Sequence, residues 1–159
     1  PIFAALQLIV LSVLMVGILR ASGFLASSDF SVIVALLCCS SMATASLSSL
    51  VSAFFSRAKV AGAVGGLIYI ASFLPASALA IFEAHLNDGH RNILCLSSST
   101  CLHMGVSSIM VYELQGEGAR WSNFAQGPHV EAIFGTRQSL LEICLMLLLD
   151  SVLYLVLAW

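Results

Sequence analysis

Two carboxylates lie inside apolar chain. Residues 139–159 carry Glu142 and Asp150 as their only charges, and Asp150 is the twelfth of those 21 residues. A carboxylate at mid-bilayer costs about 2.5–3.5 kcal/mol on insertion scales, so Asp150 has to face protein or water rather than lipid. Gating, substrate contact and a structural bond to a neighbouring helix would each satisfy that need. Glu142, about two helical turns earlier on the same general face, falls near the membrane boundary and can extend its carboxylate toward the interface. Other chemistry finds little support. His85, His90, His103 and His129 match no metal-ligand spacing, and no Ser-His-Asp or Cys-His arrangement can be placed, so neither a metal site nor a catalytic residue is expected. Lys59 is the only lysine and follows Arg57-Ala58. A Walker A loop needs Gly-x-x-x-x-Gly-Lys-[Ser/Thr], so the segment holds no ATP-binding residue.

Of the five cysteines, Cys38, Cys39 and Cys144 fall within apolar runs and read as small buried apolar residues. Cys95 and Cys101 differ, because they lie six positions apart in a connecting region where an oxidising compartment would permit a disulfide. The sequence leaves that pairing open.

The elements that must position these residues follow from composition. The chain has 159 residues, 60% hydrophobic and 9% charged, with a formal charge of −2. Soluble domains run to about 25% charged. The composition therefore excludes an ordinary soluble domain and intrinsic disorder, and it leaves no basic footprint for nucleic acid. An integral, multi-pass membrane protein remains, built from helical spans of about 20 residues. The chain starts at Pro1 without an initiator methionine and stops at Trp159 within an apolar run, and it shows no cleavable leader, so it is expected to be a piece of a longer protein.

Four spans are expected, at about residues 2–19, 30–55, 60–82 and 139–159. The third contains Pro75, which membrane helices tolerate when neighbours satisfy the freed backbone groups. Residues 83–135 are polar and turn-rich around two short apolar segments split by Ser97-Ser98-Ser99-Thr100. Those segments read as a re-entrant outer hairpin, with a fifth full span as the alternative. Arg57 and Lys59, in the short turn between the second and third spans, place that turn on the cytoplasmic side. In the third span Gly62-x-x-x-Gly66 reads as a close-packing face. In the second, Ser41, Ala45, Ser49 and Ala53 form a small-residue stripe expected to meet it.

Several of these residues also resemble a known family. Phe54-Phe55-Ser56-Arg57-Ala58-Lys59 followed by Gly65-Gly66-Leu67-Ile68-Tyr69 resembles the first membrane domain of A-subfamily ABC transporters. Gly118-Ala119-Arg120-Trp121-Ser122-Asn123 is similar to that family's Gly-x-x-Trp-x-Asn segment, and Leu149-Asp150-Ser151-Val152-Leu153-Tyr154 to its Phe-Asp-x-x-Leu-Tyr motif. Their order and spacing cover nearly the whole chain. The resemblance implies an all-α membrane fold of the type V exporter kind, in which residues 1–159 are part of a transmembrane domain: spans three to six of a six-span half, with a re-entrant pair of outer-leaflet helices before the last. It implies lipid transport, membrane lipids and a second transmembrane half as partners, and ATP and Mg bound in a nucleotide-binding domain outside this segment. The rival reading is a non-transporting helical scaffold.

Overall fold

A backbone surrounded by apolar side chains must satisfy its own N–H and C=O groups, and the helix does so within one segment. The computed structural model describes residues 2–23, 25, 27–55, 57–75, 93–127 and 138–159. Its regular structure there is helical throughout: α1 (Ile2–Ala21), α2 (Phe30–Phe54), α3 (Ala58–Ala71), α4 (Ser98–Leu114) and α5 (Leu140–Ala158). Helix α2 is the organising element, packed most extensively against α5 and then against α1, α3 and α4.

Among the described residues α2 and α5 are long and apolar enough to cross a membrane, whereas the apolar stretches Leu6–Ala21 and Lys59–Ala71 are shorter. Helix α3 occupies the first part of the third expected span. It has 14 residues and stops at Ala71, and after a turn at Ser72–Phe73 the backbone is helical again at Leu74–Pro75. Pro75 lies in that resumed turn, where its missing N–H and its ring rule out a continuous α-helical bond to the Ala71 carbonyl. The chain leaves the helix through a tighter Phe73 N–H to Ile70 carbonyl bond of 3.1 Å, and the Ser72 hydroxyl donates to the Tyr69 carbonyl at 2.6 Å. The rest of that expected span, residues 76–82, and the first part of the expected hairpin, residues 83–92, lie outside the described residues.

The expected split at the serine-rich quartet is seen: helical Ile93–Leu94 gives way to a turn over residues 95–97 before α4. Ser98, Ser99 and Thr100 open α4, with Ser97 as the residue before the first turn. Serines compete with the helix in its interior but suit its entrance. Helix α5 begins on a capping box, in which the Ser139 hydroxyl accepts the Glu142 N–H and the Glu142 carboxylate accepts the Ser139 N–H.

Side-chain burial is inverted relative to a soluble protein. Helix α5 exposes Leu145, Leu149, Val152 and Val156 while it buries Asp150 and Ser151 beside Ile143 and Leu147, and α2 buries Ser40, Ser41 and Ser46. Apolar atoms outside and hydroxyls inside is the arrangement that lipid solvates. At the centre, Gly105 of α4 receives Leu36 of α2: a Cβ on Gly105 would lie 2.8 Å from both Leu36 methyls and 3.2 Å from Ile143 Cγ2. Glycine is what lets these three helices close on one another.

Candidate functional site

Three features assemble the residues singled out above. The first is the polar seam of α2, α4 and α5. Asp150 is 1% exposed, and its Oδ2 has no hydrogen-bond partner. Beside it the Ser151 and Ser46 hydroxyls meet at 3.0 Å and tie α5 to α2. The Tyr154 phenol reaches the Leu96 carbonyl at 2.9 Å and anchors the turn before α4. Asp150 and Glu142 do not act together. Glu142 is exposed in the first turn of α5 and serves its own helix as the capping-box acid, whereas Asp150 points into the packed interior.

The second feature is a clamp between the α1–α2 connection and the loop after α4. Glu113, in the last turn of α4, accepts the Ser27 N–H at 2.8 Å and the Ser28 hydroxyl at 2.5 Å. The same Ser28 oxygen accepts the Ala119 N–H at 3.0 Å, and the Ala119 carbonyl accepts the Asp29 N–H at 2.8 Å. Arg20 closes the far side through a 3.1 Å bond to the Ser28 carbonyl.

The loop is built by the Gly-x-x-Trp-x-Asn segment. Gly118 adopts φ +68, and a Cβ there would collide with the Ser27 carbonyl. Trp121 donates its indole N–H to the Ser31 hydroxyl at 2.8 Å. Asn123 accepts the Arg120 N–H at 2.8 Å and donates to the Gly118 carbonyl at 2.9 Å. The Tyr112 phenol donates to the Gln126 carbonyl at 2.5 Å, and the Leu141 N–H of α5 donates to the Phe124 carbonyl at 3.0 Å. Burial, with Glu117 nearby adding to it, raises the Tyr112 phenol above its ordinary value, so it remains a donor.

Sequence reasoning missed Ser27, Ser28 and Glu113. One signal was available, because an acid in the last turn of a helix faces the negative end of the macrodipole and needs donors from elsewhere.

The third feature corrects the expected close-packing face. The stripe Ser41, Ala45, Ser49 and Ala53 does not meet Gly62 and Gly66: Ser41 instead faces α1 through a 3.1 Å contact with the Ser12 hydroxyl, and Ala53 is exposed. A Cβ on Gly62 or Gly66 would meet nothing within 4 Å, and one on Gly65 would touch only Val51 Cγ1 at 3.5 Å. Between α2 and α3 runs an open groove of about 630 Å³, lined by Thr44, Ser48 and Ser52 on one wall and Gly62, Gly65 and Gly66 on the other. The offset has a simple cause. Residues four apart drift around a 3.6-residue helix, so a stripe of that period cannot keep one face to one neighbour. Arg57 and Lys59 are exposed at the turn where the groove ends.

Cys95 and Cys101 are buried free thiols rather than a disulfide. The Cys95 thiol donates to Met104 Sδ at 3.2 Å, and the Cys101 thiol donates to the Ile143 carbonyl at 3.4 Å. Among the described residues no group of three His, Cys, Asp or Glu side chains could hold a metal ion.

Apolar helices that enclose hydroxyls and a carboxyl are the pattern of a membrane-associated helical segment. Comparison with known proteins narrows the class. Mouse ATP-binding cassette sub-family A member 7 is 36% identical over 151 residues, 95% of this chain and 7% of that protein. Human phospholipid-transporting ATPase ABCA7 is 35% identical over 146 residues, 92% of this chain and 7% of the relative. Human phospholipid-transporting ATPase ABCA3 is 35% identical over 135 residues, 85% of this chain and 8% of the relative. No family model matches. The chain belongs with the A subfamily of ATP-binding cassette transporters, and it spans less than a tenth of the length of these relatives.

Proposed function

We propose that this chain is part of the membrane-spanning domain of an ATP-driven lipid transporter, moving phospholipid or sterol across or out of a membrane. The observation that carries the reading is the 36% identity to an A-subfamily member over 95% of the chain, together with relatives named as phospholipid-transporting ATPases. The inverted burial of α2 and α5 supports the placement in lipid.

In this reading α1, α2, α3 and α5 belong to spans three to six of the first half of the transporter. Helix α4 and the loop after it form one arm of the outer re-entrant hairpin. Arg57 and Lys59 lie on the cytoplasmic side, where basic residues are retained. ATP and Mg bind in nucleotide-binding domains elsewhere in the full-length chain, since this segment carries no Walker A loop. Its helices transmit the closure of those domains to lipid, and the clamp around Glu113 makes the hairpin arm and the outer ends of α1 and α2 move as one body.

The test is ATP-dependent movement of labelled phospholipid by the full-length chain in proteoliposomes. Movement that requires hydrolysable ATP is expected. A folded, ATP-binding chain that moves no lipid would give the lead to the scaffold reading.

A further inference from the structure

The groove between α2 and α3 has features that helix packing does not require. Two of its glycines have open space where a side chain would be, so they do not serve to bring α2 closer. Small residues that buy no close approach leave room instead, here about 630 Å³.

The opposite wall carries three hydroxyls, one per turn. Thr44 and Ser52 return their hydroxyls to their own helix, to the Ser40 and Ser48 carbonyls, whereas the Ser48 hydroxyl is exposed and has no hydrogen-bond partner among the described residues. Ser48 lies six residues before the end of α2 at Phe54, about 9 Å along the axis. That depth is close to the boundary between the headgroup zone, about 5–8 Å thick, and the hydrocarbon.

At the same end the α2–α3 turn exposes Arg57 and Lys59, and neither α2 nor α3 contains an acid. The groove therefore offers two cations at its mouth, the Ser48 hydroxyl at ester depth and, beyond it, a lining of Leu47, Gly65 and Gly66 with Thr44 and Tyr69 at the far end.

We propose that this groove binds one anionic phospholipid of the bilayer, with the phosphate between Arg57 and Lys59, an ester oxygen accepting from Ser48 and one acyl chain lying along Gly62, Gly65 and Gly66. Basic groups near a membrane surface attract an anionic headgroup in preference to a zwitterionic one. The proposal rests on the membrane-domain reading above and names a lipid class for it.

The experiment uses the full-length chain in lipid nanodiscs containing either phosphatidylserine or phosphatidylcholine with a photoactivatable acyl chain, followed by mapping of the labelled peptides. Labelling is expected in residues 44–69, several-fold stronger for phosphatidylserine. Gly62→Leu and Gly66→Leu fill the groove and should lower it about tenfold for both lipids; the open space at both positions keeps these variants folded, as a thermal unfolding curve would verify. Arg57→Gln with Lys59→Gln leaves the groove open and should abolish the preference for phosphatidylserine. Equal labelling by the two lipids, labelling insensitive to both sets of variants, or residues 44–69 shielded by another part of the full-length chain would each overturn the site. ATP-dependent lipid movement measured on the same preparations separates the two claims. Labelling without movement retains the site and removes the transporter reading, and movement without labelling does the reverse.

Discussion

Glu113 holds Ser28 across 85 residues of chain, with the Ser28 hydroxyl 2.5 Å from Glu113 Oε2. Ser28 is 1% exposed, and its oxygen also accepts the Ala119 N–H, so one hydroxyl joins the α1–α2 connection, the last turn of α4 and the loop that follows. Hydrogen bonds to a charged group contribute about 1.5–3 kcal/mol each, and stranding a buried partner adds its desolvation cost. Glu113→Ala is therefore expected to destabilise the outer end of the domain by about 3 kcal/mol. Glu113→Gln should cost less, since its amide oxygen still accepts the Ser27 N–H. A double-mutant cycle with Ser28→Ala, read by thermal unfolding of the purified full-length chain, should give a coupling above about 1 kcal/mol. Additive effects would mean that the clamp carries no energy of its own.

Gly118 and Gly116 share a backbone conformation but not an environment. Their φ angles are +68 and +75, and either glycine replaced by alanine pays the left-handed penalty of about 1–2 kcal/mol. A Cβ on Gly116 meets nothing within 4 Å, whereas one on Gly118 collides with the Ser27 carbonyl, a backbone atom that cannot rotate away. Gly118→Ala should accordingly cost about 3 kcal/mol or more and loosen the clamp, while Gly116→Ala stays near the lower figure. Amide exchange at residues 27–29 and 119–120 distinguishes the two: it should accelerate in Gly118→Ala alone. Equal protection in both variants would show that the loop adjusts without strain.

Local chemistry was legible in the sequence, and long-range pairing was not. The charge-free run over 30–55 became α2, and the run over 139–159 became α5 with Ser139 and Glu142 as its capping box, because each depends only on residues a few positions apart. The third run was read as one unbroken helix, yet the backbone turns at Ser72–Phe73 before it is helical again at Leu74–Pro75. The Gly118–Asn123 segment was visible as a motif but not as a clamp, since the atoms it needs belong to Ser27, Ser28 and Ser31. The glycine face was identified, but not that α2 leaves Gly62 and Gly66 open. Small residues permit approach, and only the packed helices reveal whether a neighbour takes the space.

Asp150 presents the sharpest conflict between stability and role. Its Oδ2 is buried without a hydrogen-bond partner, and an unsatisfied buried polar atom costs about 1–3 kcal/mol that an apolar side chain of similar volume would not. Asp150→Val should therefore unfold at the same temperature as the parent or higher. If the carboxyl acts in transport, lipid export at equal surface level should nevertheless fall severalfold in Asp150→Val, and also in Asp150→Asn, which keeps the shape and loses the acid. Such a pattern of retained stability and lost export is the one expected of residues held for function at the expense of the fold. Lower stability with export lost in proportion would reduce Asp150 to a packing residue of the α2–α5 seam. Unchanged export in both variants would remove it from the mechanism.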